Sequence, residues 1–293
     1  MSTNAIVPQS TLDFSQVSFG DVRLNKAGGK SIPIKYSGQN LQIRLEKATY
    51  PMGVNIRENE NGTTYTMSLG LRGCDPYAKE RATAEAGSMG KLYNFLLDLQ
   101  EGVLQHATKN AKKIFGKERS LEVLRDTMKS FISPSVEKVN GEWVPTGKYP
   151  PSLKMKVPVY SGDVAMDVTD HQGKRVEVDI DNLATVFPKR CEASIVVSPS
   201  IYVTGTGFGV TWRITYAKVS PPQRTTAADV FRDEIEEEQR GSSAVAAATE
   251  ESAAPAYEEE SQPQQEEVSV PVAVPAPSPA PVSRRKAKVA AAV

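Results

Sequence analysis

Between residues 31 and 69 apolar and polar positions alternate in short runs. Ser31 to Tyr36, Leu41 to Leu45 and Thr63 to Leu69 each carry the period-2 pattern and β-branched content of a half-buried strand. Asn61-Gly62 reads as the hairpin turn into the third of them. The residues before them are polar and predict a loose N-terminal segment over 1–25. The period then changes. Asp75-Pro76 has the form of an N-cap followed by proline at the first helical position. Beyond it Leu92, Phe95, Leu96, Leu99 and Val103 recur at helical spacing, with Gly116 as a stop. A shorter helix is predicted through Leu121, Leu124, Met128 and Phe131, ended by Pro134. "NGEWVPTGKYPP", residues 140–151, reads as a mobile loop rich in Pro and Gly. Strand patterns return over 153–160, 164–169 and 175–179, with a turn at Asp170-His171-Gln172-Gly173, and end in two long runs over 195–203 and 210–219.

Strands, a helical insertion over 75–133, then more strands is an α+β order, mostly β, rather than a series of βαβ units. A small mixed barrel over 26–224 fits it. The two final runs are joined through "GTGFGVTW", residues 205–212. Glycines at alternate positions suggest a phosphate loop, but such a loop needs a helix after it, and here a β-branched and aromatic run follows. The motif is therefore expected to be a tight antiparallel hairpin whose glycines supply positive φ.

Alternation also sorts the side chains by face. In "SLKMKVPVY" Leu153, Met155, Val157 and Val159 share the core side, which puts Lys154, Lys156 and Tyr160 on the other. Two lysines and a ring on one exposed sheet face suit phosphates with bases laid against the ring, and equally suit a solvated strand. In the last run Phe208, Val210, Trp212, Ile214 and Tyr216 fall on one side, with Thr211, Arg213 and Thr215 on the other. So apolar a side is usually core, which leaves Trp212 either a core residue or a stacking platform and makes Arg213 the better ligand contact. Tyr202 lies opposite Ile201 and Val203, and Arg44 opposite Leu41, Ile43 and Leu45; both are candidates for the same groove. Lys109, Lys112, Lys113 and Lys117 form a basic helical run that reads first as a solvated face.

The chain of 293 residues carries no net charge, but this is a cancellation. Up to Arg224 there are 29 Lys and Arg against 22 Asp and Glu; beyond it there are 6 against 13. A basic body implies a polyanionic partner, and an acidic tail implies either competition for that surface or a further basic partner. Residues 225–293 are dominated by Ala, Pro, Glu and Ser and are expected to be disordered, with "SRRKAKVAAAV" as a separate basic end.

Catalysis is poorly provided for. His106 and His171 lack recognisable motif partners, and no Walker loop, HExxH or nucleophile elbow is present. Both histidines read as bland surface residues. Cys74 and Cys191 are far apart, without CxxC or Cys/His spacing, so neither a zinc site nor a disulfide framework is supported and a reducing compartment is expected. No cofactor or metal is expected, and no enzymatic activity. Without a leader-type N-terminus or an apolar run of membrane-spanning length, the expected protein is soluble, intracellular and free of membrane.

Three motifs in order, "HATKNAKKIFGKERSLEVL", "GKYPPSLKMKVP" and "IYVTGTGFGVTWRITYAKV", resemble the single-stranded DNA-binding proteins of nucleocytoplasmic large DNA viruses. Their fold is like the OB barrel of the short-tailed coliphage single-stranded DNA-binding protein. The resemblance spans roughly Leu41 to Val219. It implies an OB-like antiparallel barrel with a helical insertion that binds ssDNA without sequence preference in viral replication, recombination and repair. Lys154, Lys156, Arg213 and the nearby aromatics would line its groove. It further implies viral replication proteins as partners through the tail, and it is compatible with a homo-oligomer and with residence in the host nucleus, at a cytoplasmic replication site or in the virion. The tail departs from the coliphage pattern, in which acids and a terminal aromatic close the chain: here the acids are internal and a basic segment follows them. A virion structural or DNA-packaging protein is the alternative expectation.

Overall fold

The structure, a computed structural model, describes residues 4–24, 28–60 and 62–220. The expected tail, 225–293, lies outside the described residues, as does Asn61 of the expected turn.

Before the helices come β1 (Asn4–Pro8), β2 (Val17–Phe19), β3 (Arg23–Leu24), β4 (Lys30–Tyr36), β5 (Gln39–Arg44), β6 (Ala48–Tyr50), β7 (Asn55–Asn59) and β8 (Gly62–Gly70). The helical insertion holds α1 (Gly87–Lys109), α2 (Ala111–Phe115) and α3 (Leu121–Thr127). After it come β9 (Ile132–Ser133), β10 (Val136–Val139), β11 (Glu142–Pro145), β12 (Ser152–Lys156), β13 (Val159–Tyr160), β14 (Asp163–Val164), β15 (Asp167–Thr169) and β16 (Arg175–Val176). A one-turn helix α4 (Leu183–Val186) leads to β17 (Cys191–Val203) and β18 (Phe208–Ser220). The protein is thus mostly β with a helical insertion.

The long hairpin β17–β18 is the spine. On its free edge β17 pairs in succession with β6, β5 and β4. On its own free edge β18 meets β15 and β12, and β12 continues the sheet to β8 and β7. Most pairs are antiparallel, but β1–β5, β12–β18 and β15–β18 run parallel, so the sheet is mixed, which corrects the antiparallel barrel that the resemblance implies. Alternation along β17 sends Ile195, Val197 and Ile201 into the core with Ile43, Met67, Leu153 and Met155. Helix α1 adds Leu92, Phe95, Leu96, Leu99 and Val103 to that core, the stripe its 3.6-residue period predicts.

Several sequence expectations are corrected. The N-terminal segment is not loose: β1 pairs with β5, and the buried Gln9 joins two elements through both ends of its amide. Its Nε2 donates to Ser88 Oγ (3.3 Å), while its Oε1 accepts from the Glu46 amide (3.0 Å). Asp75 does not start α1. It accepts the amides of Tyr77, Lys79 and Glu80 and holds a turn, which spends the signal twelve residues before the helix begins at Gly87. Helix α3 stops at Thr127 instead of running to Pro134, because Met128 is extended and bridges Phe208. Part of the stretch over 140–151 is a hairpin, β10–β11, turned by Asn140 (φ 51°) and Gly141 (φ 93°). Two successive positive φ values are the geometry for which Asn-Gly is suited.

Candidate nucleic-acid interface

On β12 Leu153 and Met155 are fully buried, while Lys154 and Lys156 are exposed, as the two-residue period predicts. Register carries that face across the sheet. Lys156 stands opposite Thr66 of β8 on one side and Arg213 of β18 on the other, and Arg213 stands opposite Ser198 of β17. Laterally paired residues point the same way from a pleated sheet, so these four form one row across four strands. That row is also the whole of the β12–β18 pairing. Beside it lies a hollow of about 300 Å³ lined by Lys129, Lys154, Lys156, Tyr202 and Thr211, with Phe131 and Trp212.

Tyr202 is half-buried on the outward face of β17, opposite Gly209, and burial raises its phenol above the ordinary tyrosine value. A Cβ at Gly209 would stand 3.0 Å from Tyr202 Oη and 3.1 Å from Lys129 Cβ, so this glycine gives the ring its seat. A Cβ at Gly207 would collide with the Thr127 carbonyl oxygen, where α3 meets the hairpin and the Lys129 amide donates to the Phe208 carbonyl (2.8 Å). "GTGFGVTW" is indeed a hairpin connection, closed by the Thr204 amide donating to the Gly207 carbonyl (2.8 Å). The expected reason for its glycines is corrected: none of Gly205, Gly207 and Gly209 has a positive φ, and the last two serve close approach.

Trp212 is 3% exposed and packs edge-on against Phe131 at 6.1 Å, so the ring belongs to the core rather than to a stacking platform. Arg213 is exposed beside Lys156 but lines an adjoining hollow with Arg23, Ser198 and Ser200. Arg44 is on the same outward side, opposite Val196, and lines a third hollow with Lys47, Tyr216 and Lys218. Tyr160 is 56% exposed on the short β13–β14 hairpin, outside the strand that carries the two lysines. The structure therefore gathers Lys154, Lys156, Tyr202 and a sliver of Trp212 in one hollow and Arg213 beside it. It leaves Arg44 and Tyr160 apart.

Sequence reasoning put Tyr216 on the core side. A register shift corrects this: Val197 pairs with Ile214 but Val196 pairs with Tyr216, leaving Thr215 as the extra residue of a bulge. Thr215 Oγ1 donates to the Val196 carbonyl (3.2 Å), and Tyr216 emerges on the outward side with Lys218 exposed two residues on. Lys129 was missed as well, because nothing local says that the chain after α3 returns to β18.

His106 is not a bland surface residue. It is half-buried against Phe19, ring centroids 4.6 Å apart, and burial, with Lys113 nearby, holds its pKa below the ordinary value. Lys113 of the basic helical run is paired with Asp21 at 2.8 Å. Both cysteines are buried thiols pushed up to about 11 by desolvation, far from a nucleophile's range. What the outward face offers is exposed lysines and an arginine with a half-buried phenol ring beside them.

The chain matches no protein-family model and no curated protein. Among solved structures it is similar to gp2.5, a single-stranded DNA-binding protein encoded by bacteriophage T7, at 12% identity and a TM-score of 0.38, covering 67% of this chain and 95% of that one. It is also similar to the single-stranded DNA-binding protein of bacteriophage Enc34 in complex with ssDNA, at 12% identity and a TM-score of 0.34, covering 70% of this chain and 92% of that one.

Proposed function

We propose that this protein binds single-stranded DNA without sequence preference, along the outward face of β12, β18 and β17. The observation that carries the proposal is the register row that sets Lys156 beside Arg213 next to the hollow holding Lys129, Lys154 and Tyr202. Cations on a rigid sheet suit successive phosphates. A partly exposed tyrosine among them suits an unpaired base, because a base still in a duplex has no free face to lay on it. Contacts to phosphate and ring carry no sequence code, so the binding is tolerant of sequence. In keeping with what the resemblance of the three motifs implies, we propose a role in viral DNA replication, recombination and repair, with the acidic tail as the segment that meets replication partners.

Fluorescence titration with oligo-dT across a salt series, with duplex as competitor, tests it. Each phosphate contact adds about 0.7 to the steepness of log K against log salt, so three or four contacts give a slope of roughly −2 to −3. A flat salt response, or duplex competing as well as single strand, would overturn it. Duplex preference would favour the DNA-packaging alternative.

A further inference from the structure

We infer that the β10–β11 hairpin is a second nucleic-acid contact, an arm whose Trp143 stacks a base of the single strand where it leaves the groove. This rests on the ssDNA reading above. Trp143 is 68% exposed, large for a ring that is usually covered. The ladder pairs Lys138 with Trp143 and Val136 with Pro145, and these four share one face, since paired residues point together and neighbours alternate. The intervening pairs, Glu137 with Val144 and Val139 with Glu142, share the other. The hairpin is therefore two-sided: one face holds a lysine directly beside an exposed indole, and both of its acids lie on the opposite face, where Glu137 is bound by Lys148 at 3.3 Å. A polyanion is accepted by the first face and repelled by the second.

Position favours the same occupant. The hairpin leaves the sheet after β9, whose Ser133 lines the groove, and returns into β12, whose Lys154 and Lys156 line it. Ser133 and Ser152 are register partners, so both legs of the arm are rooted at the groove wall. Only two residues separate Ser133 from Val136, about 10 Å of extended chain. A strand lying on Lys154 and Lys156 thus passes within reach of the arm. Base stacking on an exposed indole is sequence-tolerant, in keeping with the groove's own chemistry.

The test uses the full chain and oligo-dT of about 4 to 16 nucleotides, the range of site sizes for single-strand-binding domains. Trp143→Phe reports on fluorescence, Trp143→Ala and Lys138→Glu on affinity, and the Lys154→Ala/Lys156→Ala double variant on the groove. The expected result is that Trp143→Ala weakens binding of the longer oligonucleotides roughly tenfold, the worth of one stacked base, and leaves the shortest unaffected. Trp143→Phe should also lose most of the fluorescence quenching that the natural chain shows, since Trp212 is buried. Lys138→Glu should act in the same direction, with thermal unfolding unchanged in all three because the arm is exposed. If the natural chain and the Trp143 variants bind every length alike while the double lysine variant binds weakly, the arm is overturned and the groove stands. If the natural chain fails to bind oligo-dT, both are overturned.

Discussion

Lys156 and Arg213 face each other across the parallel pairing of β12 and β18, two like charges at the one register position the strands share. Like charges placed laterally on a sheet repel, so folding gains nothing from the pair. A bound phosphate would relieve the repulsion. Replacing either by Ala is expected to reduce the salt slope of oligo-dT binding by about 0.7 per lost contact while leaving the melting temperature unchanged or slightly higher. A fall in melting temperature with an unaltered slope would assign the pair to structure.

Gly207 and Gly205 make a matched test of the hairpin connection. Gly207→Ala drives a methyl into the Thr127 carbonyl and should cost about 1–3 kcal/mol in urea unfolding. The same change at Gly205, which opens on free space, should fall within about 0.5 kcal/mol of the natural chain. Equal effects would mean that the glycines do not serve close approach.

Tyr202 and Trp212 are expected to separate binding from stability. Trp212→Ala empties a core position and should cost about 3–5 kcal/mol. Tyr202→Ala should instead weaken oligo-dT binding by about 1 kcal/mol or more with a smaller loss of stability, and Tyr202→Phe should retain affinity because the ring rather than the hydroxyl is used. The opposite assignment of losses would make Trp212 the ligand contact.

His106 gives the fold a pH dependence of definite sign. Its pKa is lowered in the folded chain by burial and by Lys113, so the unfolded chain takes up the proton first. Its contribution to stability is complete above the unfolded value of about 6.5 and is lost progressively as the pH falls from there through the lower value of the folded chain. Melting temperatures between pH 7.5 and 5.5 should decline more steeply for the natural chain than for His106→Gln. Parallel curves would remove His106 from the cause.

What the sequence could reveal depended on how far apart the cooperating residues lie. The burial of Leu153 and Met155 and the exposure of Lys154 and Lys156 follow from a two-residue period that five residues display by themselves. The bulge at Thr215 is invisible to the same reasoning, since an extra residue leaves the pattern looking regular while exchanging the sides of everything after it. Asp75-Pro76 misled because the carboxylate that could cap a helix also closes a turn. The lateral position of Lys156 beside Arg213, and the seat that Gly209 gives Tyr202, depend on strand pairing, which no local pattern encodes.

The succession of β6, β5 and β4 along β17 bears on how the chain is made. Those strands emerge from the ribosome well before Cys191, and until β17 exists their hydrogen-bonding edges have nothing to close them. Synthesis interrupted in the interval should yield fragments that clump rather than fold. A chain ending at Arg190 is expected in the insoluble fraction, and one ending at Ser220 in the soluble fraction. Assembly of this protein is therefore gated by its own late-arriving strand, and a cell producing it in quantity must shelter a long, sticky nascent intermediate.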